Sequence, residues 1–171
     1  MKALLAFLIC CTLGMAAETK PRLLMIRDWA ISIPADAEDR KTDGPDFSVT
    51  YIVFPTLNAQ LGIYEGGYPQ EFAKNEKNVA KRKEKIGGQE VVWSVWKSQT
   101  DGKDFIRAET FMVCAVQQFE PGVTYEEKFH IFLSAPDEKS LSALQDVVRT
   151  LKKKEPNQPP EPMPLKRHGS S

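Results

Sequence analysis

The sequence predicts an α+β fold: a mainly antiparallel six-stranded sheet carrying two helices, in the order β-β-β-α-β-β-β-α. Three observations lead there. Several segments alternate apolar and polar residues with period two, as half-buried strands do. Turn signals such as Asp101-Gly102 join neighbouring segments closely enough for hairpins, which makes the pairing antiparallel. Two charged segments instead space their apolar residues at helical intervals.

The chain has 171 residues, and the first of them are not expected in the fold. "MKALLAFLICCTLGMAAETK" places Lys2 before an apolar run that ends in small residues, the layout of a secretory signal over residues 1–17. The run is too short to span a bilayer. Cleavage after Ala16 or Ala17 satisfies the small-residue requirement, and Ala17 is taken. Cys10 and Cys11 follow Ile9 and Cys10, not small residues, so lipid attachment is not expected. The mature chain is then periplasmic or secreted, with no transmembrane span.

Export leaves Cys114 as the only cysteine, so no internal disulfide can form and the fold must stand on its core. The chain carries 23 basic and 23 acidic side chains, and losing Lys2 with the signal leaves a net charge of −1. That balance excludes an ordinary nucleic-acid binder. Residues 18–154 suffice for one domain. Residues 155–171, "EPNQPPEPMPLKRHGSS", carry five prolines and too little apolar surface to fold; they are expected to be an extended spacer, a proline-motif ligand or a frayed tail.

The elements follow in order. Residues 23–33 read as one strand, stopped by Pro34. "DAEDRKTDGP" reads as a charged loop. "DFSVTYIVFP" is a second strand, with Phe47, Val49, Tyr51 and Val53 opposed to Ser48, Thr50, Ile52 and Phe54. "NAQLGIYEGGYP" is a third, with Leu61 and Ile63 opposed to Gln60, Gly62 and Tyr64. "YPQEFAKNEKNVAKRKEKIGG" reads as a surface helix, because Phe72, Val79 and Ile86 are spaced by sevens between a proline and a glycine pair. The basic run 81–85 would lie on that helix as a solvated face, or as a contact for anionic lipid, peptidoglycan or an acidic partner.

"EVVWSVWKSQTDGKDFIRAETFMVCAV" then gives a hairpin. Its first arm points Val91, Trp93 and Val95 one way, and Val92 and Trp96 the other. Its second arm sets Arg107, Glu109, Phe111 and Val113 against Ala108, Met112 and Cys114. "VTYEEKFHIFLS" supplies the sixth strand, with Phe129, Ile131 and Leu133 in one row. The last helix is capped by Ser134 or Asp137 and repeats Leu141, Leu144, Val148 and Leu151 on one face.

A strand with a tryptophan on each face needs cover on both. The C-terminal helix covers one face, and the middle helix with its loops is expected to cover the other. This order, with "DWAISIP", "LGIYEGGYP", "IGGQEVVWSVWKS" and "FHIFLSAPDEKSLSALQDVVRTLKK", resembles the PsbP-like α/β/α sandwich family over residues 23–153. The resemblance implies a layered fold and a leaning toward non-catalytic roles. It implies no functional residue.

The chemical inventory is thin. No GxSxG elbow, phosphate loop or HExxH helix occurs, and one internal His with one Cys offers no zinc site. No catalytic, metal or cofactor residue is therefore assigned. Glu65, Glu71, Glu90 and Glu109 are acidic residues with no sequence reason to pair. His130 is expected on the exposed or helix-covered side of its strand. The aromatic set Tyr64, Tyr68 and Trp96 is the candidate binding surface where the middle helix covers the sheet poorly; the alternative is burial of these rings under helix or loop. The expected function is an exported, non-catalytic accessory or binding module of the bacterial envelope. Its partner would be another envelope or secreted protein, as for an inhibitor or immunity protein. The alternatives are a carrier with an apolar-ligand pocket between sheet and middle helix, and an unrecognised envelope hydrolase.

Overall fold

Eleven regular elements of strand or α-helix, in a computed structural model that describes residues 20–154, replace the eight expected. Strands β1 (Arg22–Ile26), β2 (Trp29–Ile33), β3 (Glu38–Asp43), β4 (Phe47–Phe54) and β5 (Ala59–Gly66) come first. Then come β6 (Ala80–Ile86), β7 (Gln89–Thr100), β8 (Lys103–Glu120) and β9 (Val123–Ala135), followed by helix α1 (Glu138–Arg149) and the short β10 (Lys152–Lys153). Seven strands form an antiparallel sheet in the order β3-β4-β5-β9-β8-β7-β6, and β1-β2-β10 form a second. The expected α+β fold, a six-stranded sheet with two helices, is therefore wrong. The chain is β-rich, with two sheets and one α-helix among the described residues. The α/β/α layering implied by the family resemblance goes with it, because no α-helix among the described residues lies on the second face of the large sheet. The expected signal segment 1–17 and the proline-rich segment 155–171 lie outside the described residues.

Each miss has a physical cause. The supposed middle helix is an irregular segment with one short 3-10 turn, Ala73–Asn75, followed by β6. The glycine pair that looked like a helix stop is a hairpin turn. Gly87 and Gly88 both have positive φ, 55° and 87°, which a type I′ turn requires and glycine permits. The charged run 81–85 belongs to the edge strand β6, where lysines discourage pairing with another chain. The strand over residues 23–33 is a hairpin turning at Arg27-Asp28, and "DAEDRKTDGP" contributes β3, an edge strand exposed along its whole length. The first turn carries no glycine, and β3 has no apolar alternation to set beside the Asp43-Gly44 turn signal that follows it.

The core lies between one face of the large sheet and the layer made by α1 and the small sheet. Ile52, Leu61, Ile63, Trp93, Phe129, Ile131 and Leu133 meet Ile31, Ile33, Leu141, Leu144 and Val148 there, all essentially inaccessible. Helix α1 forms as expected: Asp137 caps it by accepting the Ser140 N–H at 2.7 Å, which holds the Asp137 carboxyl below its usual range. Cys114 sits in this core. It is the extra residue of a β-bulge between Val113 and Ala115, and its unpaired carbonyl accepts the Trp29 indole N–H at 3.2 Å. No helix among the described residues is long and apolar enough to cross a membrane.

Candidate functional site: an aromatic cleft on the outer sheet face

The strand alternation read from the sequence holds on the face turned away from α1. Tyr64, His130 and Phe111 lie side by side across β5, β9 and β8, because register pairs Tyr64 with His130 and His130 with Phe111. Phe132 stands beside them, opposite Gly62. A side chain at Gly62 would run into the Phe132 ring, so glycine there lets the ring lie flat along the floor. Val49 and Tyr51 extend the surface on β4.

One wall of this floor is the irregular segment 67–79, and Glu109 holds it down. Glu109 is completely buried on β8 and accepts backbone N–H groups from Phe72 at 2.9 Å and Ala73 at 2.7 Å. Its third partner is the His130 imidazole, whose Nε2 lies 2.8 Å from Oε2. Burial alone would push the Glu109 carboxyl up. The hydrogen bonds from His130, Ala73 and Phe72 outweigh it, so the pKa is lowered and the group is held as a carboxylate. His130 is in turn sealed by rings: Phe111 stacks on it at 4.5 Å and Phe72 tilts over it at 4.8 Å. The carboxylate thus fixes the backbone that carries Phe72, and Phe72 closes one side of a cleft.

The cleft has a volume of about 400 Å³ and is lined by six aromatic side chains: Phe47, Tyr51, Tyr64, Tyr68, Phe72 and Phe132. Phe47 stacks on Tyr64 at 5.7 Å, Phe72 meets Phe132 edge-on at 5.3 Å, and Tyr51 meets Phe132 edge-on at 6.0 Å. Tyr68 stands at the rim, 81% exposed. His130 shows an edge at the bottom, and Asp46 and Gln70 supply polar groups. Such a surface can hold an apolar or flat group between rings and offer tyrosine hydroxyls to its polar edges.

Of the three aromatic residues singled out in sequence, Tyr64 and Tyr68 line this cleft together. Trp96 does not. It points to the same sheet face but is 97% buried, since its exposure is 3%, and borders a separate hollow with Asn75, Lys77 and Arg82. The 67–79 segment covers it, which answers what shields the second face of β7. The remaining acidic residues do not converge: Glu65 pairs with Arg27 at 3.4 Å on the core-side end of the sheet, far from Glu109 in register. Cys114 and His130 lie on opposite faces of the large sheet, so these two form no thiol–imidazole pair. Among the described residues no group of three or more His, Cys, Asp or Glu is placed to hold a metal ion.

Sequence reasoning missed the Glu109–His130 pair. Alternation put both on one face, yet counting register from the Glu120–Val123 turn sets His130 opposite Val113. Two bulges, between Val113 and Ala115 and between Gln118 and Glu120, slide it to Phe111, next to Glu109.

No family model matches the chain, and no curated protein matches it. A solved crystal structure from Bacteroides thetaiotaomicron VPI-5482 is similar at a TM-score of 0.49 and 14% identity, covering 82% of this chain. This chain spans about half of that structure's length, 50%. A likeness that distant supports no argument about function.

Proposed function

We propose that the protein is an exported, non-catalytic binding module of the bacterial envelope, whose aromatic cleft receives an extended segment of another envelope or secreted protein. The observation that carries this reading is the cleft of six aromatic side chains, four on strands and two on the 67–79 segment, on the sheet face that no helix among the described residues covers. Large aromatic groups at a rim are the usual anchors of a protein contact. The buried Glu109 carboxylate, bonded to Phe72, Ala73 and His130, fixes one wall of the cleft, so its shape is set before any partner arrives. The expected signal over residues 1–17 supports export.

The carrier reading has one observation in its favour, since about 400 Å³ lies in the range of small-ligand pockets. Such pockets enclose most of their ligand, however, and this one opens at Tyr68 and Phe72, both exposed. A chain-shaped occupant suits it better. The test is capture of partners from envelope extract with wild-type protein and with Tyr68→Ala, which removes an exposed ring and leaves the core untouched. A specific partner held by the wild type and lost from the variant supports the proposal. Equal capture by both contradicts it. Saturable binding of aromatic ligands or lipids with no protein partner would establish the carrier instead.

A further inference from the structure

We infer that the cleft grips its partner by a cation: an arginine side chain of the bound segment, or less well a lysine, enters among the rings. This rests on the cleft being a protein-binding site and adds the chemistry of what it holds. Three observations carry it.

The first is the charge of the lining. Its ten residues include one carboxylate, Asp46, and no lysine or arginine. The His130 imidazole adds no net positive charge, because the Glu109 carboxylate lies 2.8 Å from it and stays ionised. A protonated ring leaves that pair neutral, and an unprotonated one leaves it at −1.

The second is the neighbouring hollow, which shares Asp46 and Phe47 with the cleft. Three carboxylates line it, from Asp46, Glu65 and Glu127, against one lysine, Lys41. Arg27 takes up Glu65 and Glu127, and Asp43 takes up Lys41 at 3.0 Å. Asp46 is thus the one charged lining residue without an ion pair among the described residues. It stands exposed beside the Phe47 ring, where an incoming cation would meet both.

The third is the rings themselves. An aromatic face is electronegative and attracts a cation within about 6 Å of its centre. One such contact is already built on this sheet face: the Arg40 guanidinium lies 5.1 Å from the centre of the Tyr51 ring. Phe47, Tyr68 and Phe72 are each more than a third exposed, so their rings are open to a second cation. Arginine suits such a site better than lysine, because its planar guanidinium is weakly hydrated and stacks on rings. The Asp46 carboxylate and the tyrosine hydroxyls can accept its N–H groups. An acidic segment would instead be repelled by Asp46.

The experiment follows the ring NMR signals of Tyr64, Tyr68 and Phe72 in the full chain. The probes are three short peptides, alike except for a central arginine, lysine or citrulline. Citrulline keeps the shape of arginine and drops the charge. The arginine peptide is expected to shift the rings saturably, with the lysine peptide weaker. Citrulline should bind about five- to thirtyfold more weakly than arginine, the span of exposed to desolvated cation–π contacts. Asp46→Asn, a change at an exposed position, should weaken the arginine peptide about two- to fivefold and flatten its salt dependence. Equal binding of the arginine and citrulline peptides, or of neither, overturns the inference. So does arginine binding that Asp46→Asn leaves unchanged. Phosphatidylcholine vesicles that shift these rings when the arginine peptide does not also overturn it, by assigning the cleft to a lipid headgroup. Should arginine and citrulline bind alike while Tyr68→Ala still loses its partner, this inference falls and the binding-module reading stands. Partner capture that survives Tyr68→Ala sinks the binding-module reading itself.

Discussion

Replacing Glu109 with glutamine should loosen the wall of the cleft before it unfolds the protein. The wild-type carboxylate is acceptor-only and faces three donors: the Phe72 N–H, the Ala73 N–H and the His130 ring. Glutamine has one oxygen and one NH2, so whichever way it turns, at least one buried backbone N–H meets a donor. An unsatisfied buried donor costs about 1–3 kcal/mol, and a bond to a charged group is itself worth about 1.5–3 kcal/mol. The sum expected for Glu109→Gln is therefore about 2–4 kcal/mol. Glu109→Ala, which strands all three donors, should cost about 3–5 kcal/mol, a large part of ordinary domain stability.

Denaturant unfolding measures the total, and hydrogen exchange at the Phe72 and Ala73 amides locates it. For Glu109→Gln these two amides should exchange about 30- to 1,000-fold faster than in the wild type, from about 1.4 kcal/mol per factor of ten. Amides of Ile131 and Leu133, facing the core, should change only as far as global stability falls. A loss under about 1 kcal/mol with both amides still protected would refute the claim that Glu109 holds the 67–79 segment.

Further outcomes follow from the same geometry. Because the folded state lowers the Glu109 pKa, its stabilisation is present above the usual glutamate pKa and lost as pH falls through the folded value. Acid titration of stability should therefore be flatter for Glu109→Gln than for the wild type, and parallel curves would count against this. Burial, then the nearby Glu65 carboxylate, pushes the Cys114 thiol up to about 11, so the folded protein should resist thiol reagents near neutral pH and react only when unfolded. Cys114→Ala should cost about 1 kcal/mol and spare binding, and rapid labelling of the native state would contradict the core placement. Gly62→Ala should cost about 1–3 kcal/mol and weaken partner binding, because the new Cβ displaces the Phe132 ring; calorimetry and partner capture check the two halves. Tyr68→Ala should leave stability within about 0.5 kcal/mol while abolishing partner capture.

Much of the sheet was legible because one of its faces is buried. Phe129, Ile131 and Leu133, or Leu61 and Ile63, alternate against polar neighbours, and period two is then forced by the core. The same logic puts Trp93 and Trp96 on opposite faces. It failed wherever solvent touches both sides. β3 and β6 are edges, so their composition is set by solubility and resistance to pairing, and lysine-rich β6 looked helical. The Gly87-Gly88 turn was the available signal, since a glycine pair closing two strands is as good a hairpin mark as a helix stop.

The site was only half legible. Tyr64 and Tyr68 flank the Gly66-Gly67 pair, and alternation places Tyr64 outward, so both were reachable. Phe47, Phe72 and Phe132 come from strands and a segment far apart in sequence, and only the register of the large sheet gathers them. The Glu109–His130 pair depends on two bulges that no pattern of residue types announces. The face of Trp96 is legible by alternation, but its cover is the irregular 67–79 segment, whose spacing imitates a helix.

The central claim is that the outer-face cleft is where this protein meets another chain segment. The most direct measurement introduces a photoreactive phenylalanine analogue at Tyr68 in intact cells, with the same analogue at Leu23 on the small sheet as reference. Both positions are exposed, at 81% and 58%. The account predicts one discrete adduct from position 68, to a partner, and its loss when Tyr64→Ala is added. No adduct at position 68, or equal adducts from positions 68 and 23, would contradict it.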